Sequence, residues 1–226
     1  MFIGAEKREF DGLLARAGQV SKIDWPLNFI RSAVWNGEPA LFVANGPGPK
    51  LAEEAVRNVS ERQAVAAWVS IGFCGGLDPS LRVGDIFVAN EVLGVGPALS
   101  PAGAVRAHRT GRLISSDRVA VTAREKRELR CTGADAVEME AAPVARNARQ
   151  NGIPFYCVRV VTDTAAEELP LDFNRMRDAG GRFSRARIIA AACRKPGVVF
   201  PELFRMNQRT KSASRALGDF IADCRF

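Results

Sequence analysis

The chain has 226 residues, 47% of them hydrophobic and 25% charged, with a formal net charge of +7. Such a length suits one domain with a substantial buried core, and the composition excludes a low-complexity, collagen-like or disordered chain. The charge is uneven: residues 174–226 carry 12 Lys and Arg against 4 Asp and Glu, and the remainder carries 20 against 21, so the basic character belongs to the C-terminal part. An anionic membrane surface or nucleic acid explains such a segment, as does a solvated helix face. No nucleic-acid motif accompanies it, so nucleic acid is not expected as a partner. The five cysteines are odd in number, scattered and without a C-x-x-C pair, which argues against a disulfide framework or a zinc site and for a reducing compartment. Neither a leader-like N-terminus nor an apolar run long enough to span a bilayer is present, so a cytoplasmic protein is expected.

In chain order, Phe2 to Ala5 reads as a short strand, and Phe10, Leu13, Leu14 and Ala17 follow at helical spacing. Ala40 to Val43 predicts a second strand, which Asn45-Gly46-Pro47-Gly48-Pro49-Lys50 turns into a helix beginning near Leu51 and running to about Ala67. That turn is not a P-loop, because the G-x-x-x-x-G-K-[ST] spacing is absent and two prolines remove N–H donors. Trp68 to Phe73 predicts a central strand, and Cys74-Gly75-Gly76 lets a ligand lie against bare backbone. Asp85 to Val92 reads as another strand, and Arg112 to Ser116 and Arg118 to Thr122 as short strands about a turn at Ser116-Asp117. His108, the only histidine, reads as a surface residue.

Val137, Ala141, Val144, Ala145 and Ala148 then predict a helix of about four turns, closed by Gly152 and Pro154. Phe155 to Val161 predicts a buried strand interrupted by Arg159 and ending at Asp163, where the carboxyl ends of strands in α/β sheets receive ligands. Helix-dipole and turn chemistry account for Glu138, Glu140 and Asp163 without function. A last helix carries an apolar stripe of Ala213, Leu217, Phe220, Ile221 and Cys224, with Arg209, Lys211 and Arg215 off it.

Two blocks change that balance. Val137-Glu138-Met139-Glu140, followed after a short helix by Arg159-Val160-Val161-Thr162-Asp163, resembles the signature of the purine nucleoside phosphorylase and nucleosidase superfamily. Ser70 to Val92 is similar to its glycine-rich stretch and the strand after it. The run Leu171-Asp172-Phe173-Asn174 and the Gly181-Arg182-Phe183-Ser184 after it resemble the hopanoid-associated phosphorylases, also described as adenosylhopane nucleosidases.

The resemblance implies one three-layer α/β domain over residues 1–226, a central mixed sheet flanked by helices, with a basic helical part from about 174. It implies cleavage of the N-glycosidic bond of an adenine nucleoside, with adenosylhopane the specific expectation. Asp163 would protonate the purine at N7, Glu140 would hydrogen-bond the ribose hydroxyls, and Glu9 would activate water, with Glu6 the weaker alternative. Glu138, Met139, Cys74, Gly75, Val119 and Thr162 would contact substrate, and Gly46 and Gly48 would allow close approach of backbone. Asp163 must then hold a proton, which burial beside Glu138 or Glu140 would favour, and Arg159 would oppose if it pointed inward.

Phosphorylases of the superfamily usually carry a serine or threonine where Phe73 stands, so water is the expected acceptor, with phosphate the alternative. A catalytically inactive nucleoside- or lipid-binding module is the reading outside enzymes. No cofactor or metal is implied. A homo-oligomer, a dimer, is expected, along with peripheral contact with the inner face of the membrane through residues 175–215.

Overall fold

In a computed structural model describing residues 1–178, 180–194 and 196–226, ten strands form a single mixed sheet between helices. The strands are β1 (Phe2–Gly4), β2 (Gly18–Lys22), β3 (Phe29–Trp35), β4 (Glu38–Ala44), β5 (Trp68–Gly76), β6 (Ile86–Val92), β7 (Gly96–Pro97), β8 (Arg109–Ser115), β9 (Ala136–Glu138) and β10 (Phe155–Asp163). The helices are α1 (Asp11–Leu14), α2 (Pro49–Ser60), α3 (Ala123–Arg130), α4 (Ala141–Gln150), α5 (Arg185–Ala192) and α6 (Pro196–Ala222). The order is β10-β6-β8-β9-β5-β1-β4-β3-β2, and β10 also pairs with β5, so one end of the sheet closes on itself.

Alternation along the strands sorts the core into two layers. Ile3, Leu41, Val43, Trp68 and Cys157 face α2 and α4. Phe2, Phe42, Val69, Val158 and Val160 face the other way, toward Leu13 of α1 and Leu217, Phe220 and Ile221 of α6. The three-layer α/β architecture expected from sequence is the one observed. β3 and β4 form a hairpin across Asn36-Gly37, both at positive φ (51° and 86°), the two-residue turn that Asn-Gly favours.

Three local readings are corrected. Ala136 to Glu138 does not begin a helix. It is a buried strand between β8 (parallel) and β5 (antiparallel), and α4 starts only at Ala141. Val137 falls on the same 3.6-residue stripe as Ala141 and Val144, so periodicity alone could not separate them. Residues 118–122 form no strand, because their backbone is satisfied by side chains. Asn174 pairs with Val119 N–H and C=O (2.8 and 3.0 Å), and Glu125 accepts from Val121 and Thr122 N–H to cap α3. The helix from Leu51 stops at Ser60, well short of Ala67.

The helix expected after Phe10 is one 3-10 turn (Lys7–Phe10) and the single turn of α1, both held by α6. Gly12 and Gly218 meet there, so closely that a Cβ on Gly12 would lie 2.0 Å from the Ser214 carbonyl oxygen, while Gly12 N–H donates to Ser214 Oγ (3.0 Å). Gly12→Ala is therefore expected to push α6 off the sheet and cost roughly 1–3 kcal/mol, the usual range for overpacking. A thermal melt would register this as a lowered midpoint, and an unchanged midpoint would mean that the crossing is looser than described.

Candidate active site

The carboxyl ends of the parallel strands β1, β5 and β10 meet at one side of the sheet, with the antiparallel β9 beside the end of β5, around a cavity of about 840 Å³. All nine residues singled out from sequence as catalytic or substrate-binding line it. The polar end is built around a buried arginine. Arg159 enters from β10 and is 1% exposed, as is the Glu138 side chain it pairs with at 2.6 Å. It also donates to Ser70 Oγ of β5 (2.8 Å). Arg159 thus points inward, onto Glu138.

Glu138 is consumed by that role. Besides Arg159, its carboxylate accepts from Glu140 N–H (2.9 Å), Ala141 N–H (2.9 and 3.1 Å) and Ser115 Oγ. It caps the exposed donors at the start of α4 from two residues upstream. It lines the cavity, and its oxygens are also partnered by these protein groups.

Glu9 is buried at the other wall, accepting from Ala5 and Glu6 N–H (2.6 and 3.0 Å) and weakly from Phe73 N–H (3.4 Å). Glycine makes room for it: a Cβ on Gly72, whose φ is +147°, would stand 2.6 Å from Glu9 Oε1. Burial pushes Glu9 up to about 7, with Glu6 adding to the rise while backbone donors and Arg159 hold it back. Glu6 itself is committed to Arg8, 2.6 Å away.

Glu140 sits between Glu9 and Glu138, half-buried, with Gly48 N–H donating to it at 2.7 Å. Gly48 has φ +104°, so the glycine expected to allow close approach does so. Burial first, then the charges of Glu138 and Glu9, push Glu140 up to about 8. Met139, 9% exposed, forms an apolar wall between the two glutamates.

Asp163 stands apart. Its charged neighbour is a cation, not Glu138 or Glu140 as expected from sequence: Lys126 Nζ of α3 lies 2.6 Å from Oδ2. Thr162 Oγ1 donates to Asp163 Oδ1 (3.0 Å), and Gly75 leaves space beside Oδ2. Cys74 is buried, and burial holds its thiol well above the usual range, so it offers shape and a backbone carbonyl, not a thiolate. Phe73 also lines the cavity. Among the described residues no group of His, Cys, Asp or Glu is placed to hold a metal ion.

Away from the carboxylates the cavity turns apolar, walled by Leu169, Phe173, Phe183, Ile188, Leu203 and Met206, with Arg118, Arg182 and Arg185 at its margin. Sequence reasoning missed this wall and missed Lys126. A lysine in Ala-Arg-Glu-Lys-Arg-Glu-Leu-Arg looks like one solvated charge among many, yet Lys126 is 1% exposed.

Residues 98–192 match the family model described as Phosphorylase superfamily. A 5'-methylthioadenosine/S-adenosylhomocysteine nucleosidase of Tolumonas auensis is 26% identical over 186 residues, covering 68% of this chain and 81% of that protein. Among solved structures, futalosine hydrolase of Helicobacter pylori superposes with a TM-score of 0.74 at 15% identity, covering 98% of this chain and 96% of that one. The 5'-methylthioadenosine/S-adenosylhomocysteine nucleosidase of Neisseria meningitidis, in complex with methylthio-immucillin-A, gives 0.72 at 20% identity over 98% and 96%. The likenesses to these solved structures show the fold.

The raised carboxyls predict a pH dependence of stability. Glu9 and Glu140 keep their protons in the folded chain after the unfolded chain has released them near pH 4.5, so their contribution to stability is fully present below about 4.5 and is lost as pH rises toward 7 and 8. The Glu9 part amounts to roughly 3 kcal/mol at most. Denaturant titrations between pH 5 and 8 are expected to show this decline in the wild type and a shallower one in Glu9→Gln. Equal slopes would mean that Glu9 ionises in the fold as readily as in water.

Proposed function

We propose that this chain, with the nucleosidase fold and its match to the phosphorylase superfamily, is a purine nucleosidase that cleaves the N-glycosidic bond of an adenine nucleoside with water. The observation that carries the reading is the convergence of Glu9, Glu140 and Asp163 on one cavity at the carboxyl ends of the strands. Cleavage requires a protonated leaving base, a stabilised sugar cation and a positioned nucleophile, and three carboxyl groups supply these. Asp163, between Gly75 and Thr162, serves as the acid at the base. Glu140 accepts from the ribose hydroxyls, and Glu9 orients water and takes its proton. Met139 and Val119 give apolar contact to sugar and base. Phe73 favours water over phosphate as acceptor.

A lipid-linked adenine nucleoside is the substrate this reading favours, with adenosylhopane the specific candidate on the resemblance of residues 171–184. It is supported by a cavity near the upper end of the roughly 300–1,000 Å³ usual for small-molecule sites, and by the apolar wall beyond the carboxylates. A homo-oligomer, a dimer, and a cytoplasmic location belong to the same reading. Release of adenine from a panel of 5'-substituted adenosines tests it. Asp163→Asn is expected to lower turnover by roughly 10²–10⁴ without loss of fold. Wild-type turnover in that variant would remove Asp163 as the acid, and ribose 1-phosphate formed only with phosphate present would replace hydrolysis by phosphorolysis.

Peripheral attachment to an anionic membrane is part of this reading too. Its support is the set of exposed apolar side chains on α5 and α6, Ile189, Val198, Phe200 and Phe204, interspersed with exposed Arg185, Arg187 and Arg194. Phe200 and Phe204 lie one turn apart on the same face. Arg209 is bonded to Glu167 (2.8 Å) and so is not among the contacts. Each cation near an anionic surface contributes about 1 kcal/mol. The protein is expected to sediment with anionic liposomes at low salt, less so at high salt, and less again as Phe200→Glu/Phe204→Glu. Absence of binding at low salt, or self-association abolished by the same variant, would assign the patch to something other than a bilayer.

A further inference from the structure

Lys126 is a lysine sealed from solvent, and its surroundings are arranged around its nitrogen. Nζ has three partners: Asp163 Oδ2 at 2.6 Å, the Thr164 carbonyl at 2.7 Å and the Glu167 carbonyl at 2.8 Å. The other charges nearby are spoken for. Glu167's carboxylate accepts from Thr164 N–H (2.9 Å) and from Arg209 (2.8 Å), which leaves Asp163, among the described residues, as the anion in contact with the ammonium.

This set of partners satisfies either state of the amine. As an ammonium, Nζ donates to two carbonyls and to a carboxylate. As a neutral amine, it still donates to the same two carbonyls, and its lone pair accepts from an Asp163 O–H. Neither state leaves a buried polar group unpaired, so the cost that normally opposes moving a proton inside a protein is largely absent. Lys126 does not line the cavity, whereas Asp163 does.

On the nucleosidase reading, we infer that Lys126 supplies, through Asp163, the proton that leaves with the base. The N–H bond of Nζ that faces Asp163 breaks and an O–H bond forms on the carboxylate. The carboxylic acid then protonates the base as the glycosidic bond breaks, and the bonding electrons depart with the base. Asp163 ends as a carboxylate and Lys126 as a neutral amine. Glu9 meanwhile gains the proton of the attacking water. Loss of that proton to solvent at Glu9 and uptake of one at Lys126 restore the resting pair, so protons balance over the cycle. Lys126 is thus a positioning and proton-supplying residue that acts only through Asp163, and an acid paired with a cation becomes consistent with its task.

The experiment compares wild type with Lys126→Met and Lys126→Gln on ribosides of one 5' group, whose leaving groups run from adenine to purines bearing electron-withdrawing substituents and to 4-nitrophenol. Glutamine keeps two N–H donors for the carbonyls but has no proton to transfer, which guards against simple collapse of the loop. With adenine, kcat is expected to fall roughly 10²–10⁴-fold, the range of a lost general acid, with KM within a few-fold. The deficit is expected to shrink as the leaving group needs less protonation, nearly vanishing for 4-nitrophenol. In an Asp163→Asn background, Lys126→Gln is expected to add no further loss. A deficit equal for every leaving group, or wild-type kcat with adenine in Lys126→Gln, would overturn the assignment. Wild-type inactivity across the whole series would instead defeat the nucleosidase reading itself.

Discussion

A guanidinium and a carboxylate, both withdrawn from water, hold this site together. Arg159 and Glu138 lie 2.6 Å apart with 1% of either side chain exposed. Each ion costs several kcal/mol to desolvate, so the pair adds little net stability over an apolar substitute, but removal of one partner strands the other charge. The consequence is geometric. Arg159 comes from β10, Ser70 from β5, Glu138 from β9, Ser115 from β8, and the capped N–H groups from the start of α4. Four strands and a helix are tied at one point. A slip of β10 by one residue would put Arg159 on the opposite face of the sheet, so the pair fixes the register that carries Asp163 four residues further on.

The same arginine governs the charges around it. Glu9 and Glu140 are pushed up to about 7 and 8 chiefly by burial, and Arg159 opposes the rise in both. With Glu138 committed to its ion pair, ionising Glu9 and Glu140 together would crowd three negative charges about one positive one. Near neutral pH the cluster therefore gains and loses a proton readily, because Glu9 is partly ionised there. Asp163 draws on a separate cation, Lys126. Glu9 and Glu140 thus share the neighbourhood of Arg159, and Asp163 has that of Lys126.

The three carboxyl residues, the strand ends and the three-layer fold were legible in sequence because each leaves a local mark: a signature string, an apolar run, a Gly-Gly after a strand. Other features leave none. The Asn36-Gly37 hairpin was written in the chain yet passed over between longer apolar runs. Ala136 to Glu138 carried a mark that misled, since three buried residues before a helix share its period. Residues 118–122 have the composition of a strand, but their hydrogen bonds go to Asn174 and Glu125, partners 55 and a few residues away that no propensity anticipates. Burial of Lys126 is the extreme case. It results from where α3 packs relative to the turn after β10, a tertiary fact that overrides the strongest single-residue expectation for lysine.

One helix connects the parts of the site that face solvent with those that face the chemistry. At its far end α6 is pinned to α1 where Gly12 and Gly218 meet. Midway, Arg209 bonds Glu167, whose backbone carbonyl in turn holds Lys126. In its first half Leu203 and Met206 wall the apolar end of the cavity while Phe200 and Phe204 face outward. At about 1.5 Å per residue, Phe204 and Arg209 are some 7–8 Å apart along the axis, less than two turns of a hydrogen-bonded rod. Pro201 lies in the turn before them, where its missing N–H removes a helical bond, so the leading turn with Phe200 is tied less firmly to the helix than the turns that carry Phe204 and Arg209.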